Sequence, residues 1–216
     1  KLPAYLFNNS GIKSITLPES VTSIGNYAFS WTGLTEIKLP AGLTTLGERA
    51  FSNCGELAKV NIPAGLTSGR YAFSGCGKLK TVDYDNGITN IPNYLFAGCT
   101  GIEAVALPNT VTKVGMYAFS GCTALESADI PDSVIYIDEY AFQNCSSLKE
   151  LNLGSSVMAI GSYAFYNCTS LEKVEFPESL KYLGGYYSTN GTNNWYTGNF
   201  YDAFRNCTAL REVSIN

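Results

Sequence analysis

The sequence contains no histidine, and this absence removes a large part of side-chain chemistry. Ser-His-Asp triads, Cys-His pairs and His-ligated zinc sites all need an imidazole, so this chain can build none of them. The 14 basic residues are scattered and the formal net charge is −4, so neither nucleic acid nor an anionic membrane surface is an expected partner. Long apolar runs are also lacking, because uncharged stretches such as 154–171 are rich in Ser, Asn, Thr and Gly. No membrane insertion is expected within this chain.

A phenylalanine that follows Ala or Leu recurs along the chain at nearly constant spacing. The steps between successive copies are 22, 22, 22, 23, 23, 23, 23 and 39 residues. The positions are Phe7, Phe29, Phe51, Phe73, Phe96, Phe119, Phe142, Phe165 and Phe204. A repeat this short is typical of a solenoid. The spacing therefore predicts nine coils of about 22–23 residues.

Each repeat contains two short apolar segments that predict two walls. Val60 and Ile62 are spaced by two, which places both side chains on one face of a strand, and Pro63 ends that strand. The segment from Val111 to Gly115 predicts the opposite wall. Strands from successive repeats would pair in parallel, joined by turns or short helical segments.

One column of the repeat predicts a left-handed backbone. Asn and Gly tolerate positive φ, and they fill almost every position two residues after the marked phenylalanines. The column is Asn9, Trp31, Asn53, Gly75, Gly98, Gly121, Asn144, Asn167 and Asn206. Trp31 is the exception, so its turn should be strained or rearranged. By contrast, the column four residues before Phe holds Pro3 and Pro92 beside several glycines, so positive φ cannot be required there.

The pattern Leu-x-x-Val-x-Ile-Pro, then Val-Thr-x-Ile-Gly-x-Tyr-Ala-Phe-x-x-Cys, closely resembles the BspA-type leucine-rich repeat of bacterial surface proteins. The resemblance covers the whole chain except an insertion near the C-terminus. It implies a right-handed, curved solenoid of the leucine-rich-repeat type and an extracellular or cell-surface location. It also implies adhesion to host matrix proteins or to other cells, and it brings no catalytic residues.

Residues 1–216 are expected to form a single solenoid that is a fragment of a longer protein. The first ten residues do not form a signal peptide, since they contain no apolar core followed by a small-residue cleavage site. No polar cap of the kind that solenoids need is recognisable at either end.

The seven cysteines, each three residues after a marked Phe, predict a ladder of buried, reduced thiols. Stacked coils would approach closely enough for disulfides, but parallel side chains in register point the same way. The count is also odd, and Ser10 and Thr32 fill the same column. Zinc is disfavoured because no two cysteines are closer than 22 residues. A catalytic thiol would lack an imidazole base.

Three other features have a structural and a functional interpretation. The segment 83–87 loosely resembles a calcium loop, but it lacks the distant Glu of an EF-hand, and we interpret Asp85-Asn86-Gly87 as a turn. The mixed, small side chains that point outward from the strands contain no aromatic anchor and are expected to be solvated.

An ordered tyrosine stripe is either a binding surface or, as we favour, a product of coil-on-coil stacking. It consists of Tyr5, Tyr27, Tyr71, Tyr94, Tyr117, Tyr140 and Tyr163, and Arg49 and Asp202 interrupt it.

The segment 185–200 adds 16 residues to the last repeat relative to the sixth and is rich in uncharged and aromatic residues. Aromatic rings beside neutral hydrogen-bonding groups suit a sugar or a protein hot spot, while the alternative is a loop or hairpin that shields the last coils. The candidate ligand-binding residues are Tyr186, Tyr187, Trp195, Tyr196 and Trp31. No metal or cofactor site is expected.

Three functions are compatible with these observations. The first is a non-enzymatic binding or adhesion module that recognises a protein or a glycan on a host or another cell. The second is a structural spacer with no ligand of its own. The third, an enzyme, is disfavoured because no nucleophile and base can be paired.

Overall fold

The computed structural model describes residues 1–187, 195–196 and 200–215 as a parallel β-solenoid. The first wall, in which five of the eight strands run towards a proline, contains β2 (Glu36–Ile37), β4 (Lys59–Ile62), β5 (Thr81–Tyr84), β7 (Ala104–Ala106), β9 (Ser127–Asp129), β11 (Glu150–Asn152), β13 (Lys173–Phe176) and β16 (Glu212–Ile215). The opposite wall contains β1 (Ser23–Ile24), β3 (Thr45–Leu46), β6 (Asn90–Ile91), β8 (Lys113–Val114), β10 (Tyr136–Ile137), β12 (Ala159–Gly161) and β14 (Tyr182–Tyr187). Both predicted walls are therefore confirmed.

Strand pairing follows the sequence repeat. In the first wall Val60 lies opposite Val82, and Val105 lies opposite Ala128. In the opposite wall Val114 lies opposite Ile137. These partners occupy equivalent repeat positions, so each coil stacks on the next in register and the apolar residues of every coil face one interior.

The coil count differs from the nine that the spacing predicts, because the paired strands make about seven complete turns. To the strand pairing of the described residues, the first repeat contributes an isolated bridge between Leu2 and Ile24, and its Phe7 is half-buried. The last repeat is reached only after the insertion. The seven phenylalanines between these incomplete ends are 0% exposed: Phe29, Phe51, Phe73, Phe96, Phe119, Phe142 and Phe165.

The phenylalanine column forms the central stack of the core. Ring centroids of successive phenylalanines, from Phe7 to Phe204, are 4.9–5.8 Å apart. This spacing follows from the separation of about 4.8 Å between hydrogen-bonded strands. Offset stacking at this distance adds to the burial of each ring.

The turn that carries Tyr-Ala-Phe has two left-handed positions in each coil. The predicted Asn/Gly column is confirmed, with φ between 57° and 77° at all nine residues, including Trp31. The tyrosine column is left-handed as well, with φ between 54° and 61° from Tyr5 to Tyr163 and at Arg49. The sequence did not indicate this second column, because tyrosine has no intrinsic preference for positive φ.

The glycine column four residues before Phe has no positive φ, as predicted. Its glycines instead allow close approach between coils. A Cβ at Gly161 would lie 2.5 Å from the backbone nitrogen of Glu139, and one at Gly25 would lie 2.4 Å from that of Ala4. At these two coils glycine is therefore required by space and not by dihedral angle, whereas the coils with Pro3, Pro92 and Asp138 accommodate a Cβ.

The insertion leaves the opposite wall and returns to the solenoid in register. β14 pairs in parallel with β12, and β15 (Trp195–Tyr196) pairs antiparallel with β14. The register shifts after Ile160, where Gly184 has a φ of 75°. A four-residue helix, α1 (Phe200–Ala203), follows. The backbone N–H of Phe165 then donates to the carbonyl of Ala203 at 2.8 Å, so the repeat resumes.

Candidate functional site

The turn face carries the tyrosine and Asn/Gly columns, and many of its side chains are partly exposed. Tyr94, Tyr117 and Tyr140 stack with ring centroids 4.8 and 4.5 Å apart and planes within 9°. Tyr163 continues this row at 5.1 Å. Burial, followed by the neighbouring Tyr140, raises the pKa of Tyr117 to about 12. Stacking between coils, the structural interpretation of the tyrosine stripe, is confirmed.

Arg49 continues this stack where the tyrosine series is interrupted. Its guanidinium lies 5.9 Å from the ring centroid of Tyr27 and 5.3 Å from that of Tyr71. It also donates a hydrogen bond of 2.8 Å to the Tyr27 hydroxyl, and this bond is the main reason that its pKa is raised. The planar cation therefore substitutes for a ring in the row.

The seven cysteines are free and buried, as the ladder prediction requires. Each thiol donates to the carbonyl of the phenylalanine in the preceding coil, for example Cys99 to Phe73 at 3.1 Å. The same Phe73 carbonyl accepts the backbone N–H of Cys76 at 3.1 Å. Burial raises the pKa of the Cys99 thiol. These cysteines link coils and have no access to a substrate.

Asp138 occupies the glycine column and is 8% exposed. Its carboxylate forms an ion pair with the ammonium group of Lys113 at 2.8 Å. Burial raises the pKa of Asp138, and the Lys113 charge partly offsets that shift. Within the described ranges its second oxygen has no hydrogen-bond partner. The pair joins neighbouring coils and lines no catalytic arrangement.

The segment 83–87 forms the turn that the sequence predicts. β5 ends at Tyr84, the backbone N–H of Ile88 donates to the Asp85 carbonyl at 3.4 Å, and Gly87 has a φ of 90°. Asp83 is paired with Lys59 at 2.9 Å. Over the residues that the structure describes, no three Cys, Asp or Glu side chains come together as a metal site.

Of the five candidate ligand-binding residues predicted from the sequence, Trp31 is the one whose side chain the structure describes. It keeps the left-handed conformation of its column, with a φ of 59°, and its N–H donates to the Ser52 carbonyl at 2.9 Å. The turn is therefore strained and not rearranged. The side chain is 62% exposed. A bulky residue at positive φ costs about 1–2 kcal/mol, and burial of the remaining third of the residue offsets a similar amount.

The other four candidates lie in the insertion. The backbones of Tyr186 and Tyr187 belong to β14, and those of Trp195 and Tyr196 belong to β15, where the two pairs face each other in the antiparallel register. Their side chains lie outside the described part of the chain. The pairing brings the four backbones together and leaves Trp31 separate, on a turn many coils away.

The chain is a parallel β-solenoid of the leucine-rich-repeat type. The family model "BspA type Leucine rich repeat region (6 copies)" matches residues 1–123 and 67–194, so the chain belongs to the BspA-type leucine-rich repeat family. A comparison with curated proteins finds no match. In the described ranges, no helix has the length and apolar character needed to cross a bilayer.

Several solved structures share this fold. A leucine-rich repeat protein from Bacteroides ovatus is 24% identical over 98% of this chain and 71% of its own, with a TM-score of 0.51. The leucine-rich repeat protein of T. pallidum is 23% identical over 89% of this chain and 77% of its own, with a TM-score of 0.54. The pneumococcal vaccine antigen PcpA is 21% identical, with a TM-score of 0.50 over 84% of this chain and 55% of its own.

Proposed function

We propose that the chain is a non-enzymatic binding module of a bacterial cell-surface or secreted protein, and that it recognises a host protein, another cell or a glycan. Membership of the BspA-type family supports a role in protein interaction or adhesion. The pneumococcal vaccine antigen among the fold relatives is in keeping with a surface location.

The observation that carries this proposal is Trp31. The other eight positions of this column are all Asn or Gly. Those residues adopt positive φ at little cost. Trp31 instead combines backbone strain with 62% exposure. Strained positions with exposed aromatic side chains are common at binding sites. In the structural columns Tyr5 also combines positive φ with 60% exposure, but its ring stacks on Tyr27 at 5.2 Å, a contact that Trp31 lacks among the described residues.

The test is Trp31→Asn, a substitution that separates binding from folding. Asn relieves strain of about 1–2 kcal/mol. Loss of the buried third of the indole costs a similar amount, about 1–2 kcal/mol. The free energy of unfolding should therefore stay within about 1 kcal/mol of the parent. Binding to a panel of immobilised extracellular-matrix proteins and to epithelial cells should fall at least about tenfold.

A second variant addresses the insertion, whose aromatic residues we also propose to contact the ligand. Trp195→Ala combined with Tyr196→Ala removes two of them in β15. If this double variant and Trp31→Asn both fold and both bind matrix proteins and cells as the parent does, neither surface is the binding site; if the parent itself binds none of them, the chain is a spacer. Loss of binding in either folded variant supports the binding module and assigns the responsible surface.

A further inference from the structure

A small surface around Trp31 is built from three adjacent coils. The N–H of Asn9 donates to the carbonyl of Ser30, next to Trp31, at 2.8 Å, and the N–H of Trp31 donates to the carbonyl of Ser52, next to Asn53, at 2.9 Å. These bonds fix the three left-handed residues as neighbours in one row. We call Asn8, Asn9, Trp31 and Asn53, with the glycines Gly11 and Gly55 beside them, the Trp31 patch.

The amides of the Trp31 patch keep their hydrogen-bonding capacity. Asn8 and Asn9 are exposed, and in the described part of the chain the side chains of Asn8, Asn9 and Asn53 make no hydrogen bond that meets the usual geometry. The same column behaves differently near the C-terminus. There the amide of Asn167 donates to that of Asn144 at 3.0 Å. An amide offers both donors and an acceptor, so the patch can satisfy a ligand rich in hydroxyls.

The surface of the Trp31 patch is open, and its own residues carry no charge. A Cβ added at Gly11 or Gly55 would meet nothing within 4 Å. Of the charged residues at its border, Glu56 follows Gly55 and is paired with Lys78 at 2.7 Å, and Arg49 is bonded to the Tyr27 hydroxyl. Lys13 lies at the edge, where its Cγ would be 3.6 Å from a Cβ at Gly33. A ligand with a fixed charge would find little complementarity here, whereas a neutral polar ligand would.

We propose that the Trp31 patch binds an uncharged oligosaccharide. One pyranose ring would lie against the exposed indole, where its C–H groups meet the aromatic face, and its hydroxyls would exchange hydrogen bonds with the free amides. Trp and Asn are also the side chains that supply rigid contact area and adaptable polar contacts in other recognition surfaces. This inference rests on the proposed binding function and names the ligand class of the Trp31 surface.

The experiment uses saturation-transfer NMR of the full chain with maltohexaose, cellohexaose and chitohexaose at up to about 10 mM, and with sialyllactose as the charged probe. We expect transfer to at least one neutral hexasaccharide and a larger signal than for sialyllactose. Trp31→Asn should weaken the affinity at least about tenfold. Asn8→Ala with Asn9→Gly should also weaken it, since Gly retains the positive φ at position 9 while the amides are removed.

The matched control moves the tryptophan to another coil. Gly121 has a φ of 75°, and a Cβ there would be 3.6 Å from the Gly98 backbone, an ordinary contact. The variant W31N/G121W therefore presents a tryptophan in the same column, beside Asn144, whose amide is already bonded to Asn167. It should not recover the binding of neutral sugars.

The glycan inference is overturned by no transfer to any of the three neutral hexasaccharides, or by full recovery of binding in W31N/G121W. A stronger response to sialyllactose than to all neutral sugars would also contradict it. These failures remain distinct from failure of the proposed function. If Trp31→Asn abolishes binding to matrix proteins while sugars do not bind the parent, the module stands and its ligand is a protein.

Discussion

The thiol ladder gives a quantitative prediction for Cys99→Ala. The Cys99 side chain is 0% exposed and lies between coils, with its Sγ 3.1 Å from the Phe73 carbonyl oxygen. Removing the sulfur loses about 1 kcal/mol of transfer free energy, by comparison with a buried methylene. The void adds a further cost because neighbouring coils are held by their backbone hydrogen bonds.

The lost S–H hydrogen bond is a smaller contribution to this cost. The Phe73 carbonyl keeps its bond from the Cys76 N–H, so no buried acceptor is left without a partner, and about 0.5 kcal/mol is expected. The sum predicts that Cys99→Ala lowers the free energy of unfolding by about 1.5–2.5 kcal/mol. Cys207, at the end of the ladder and 9% exposed, has a coil on one side. Cys207→Ala should therefore cost about half as much.

Urea unfolding followed by far-ultraviolet circular dichroism measures both variants, and an unchanged m-value validates the comparison. Thiol titration provides the second readout. The native parent should react negligibly with a thiol reagent, and the unfolded parent should show all seven free thiols. A cost below about 0.5 kcal/mol for Cys99→Ala, or rapid labelling of the native chain, would refute the buried-ladder reasoning.

Two further predictions concern the column four residues before Phe. Gly161→Ala should lower the free energy of unfolding by about 1–3 kcal/mol, because the new Cβ would lie 2.5 Å from the Glu139 backbone nitrogen. The control is Gly55→Ala, whose Cβ would meet nothing within 4 Å and which should leave the free energy of unfolding nearly unchanged in the same urea assay. Asp138→Asn should remove one source of pH dependence. Burial raises the pKa of Asp138 above its ordinary 3.8 in the folded state, so the parent should lose stability relative to the variant as pH rises from about 4 through the raised pKa. Equal slopes of unfolding free energy against pH for the two proteins would contradict this.

The sequence was most informative where one residue type serves one physical need in every coil. The phenylalanine spacing predicted the stack, and the Asn/Gly column predicted positive φ, because each selection is local and recurs, nine times for Phe and eight times for Asn or Gly. The prolines at Pro3 and Pro92 correctly excluded a dihedral role for the neighbouring glycines. What those glycines do instead, allowing backbones of adjacent coils to approach, depends on tertiary distance, which one repeat does not reveal.

The tyrosine column shows where local propensity fails. A left-handed tyrosine is unfavourable in isolation, so residue type alone does not predict the φ near 55° at Tyr27 and Tyr117. The compensation comes from neighbouring coils. The N–H of Tyr117 donates to the Glu139 carbonyl at 3.1 Å, and its ring stacks on both neighbours. Interactions of this kind exist only in the stacked array, so they override a preference measured residue by residue.

The same comparison explains why Trp31 is informative about function. Tyrosines at positive φ have partners that offset their strain, with ring centroids 4.5–5.2 Å from a neighbour in the stacked pairs. Trp31 has the same backbone conformation with a largely exposed side chain. A repeat that accepts Asn or Gly at this position in eight coils has fold-compatible alternatives available. The proposal that this strain serves an interaction outside the solenoid is tested by Trp31→Asn, which should weaken ligand binding while the fold is kept.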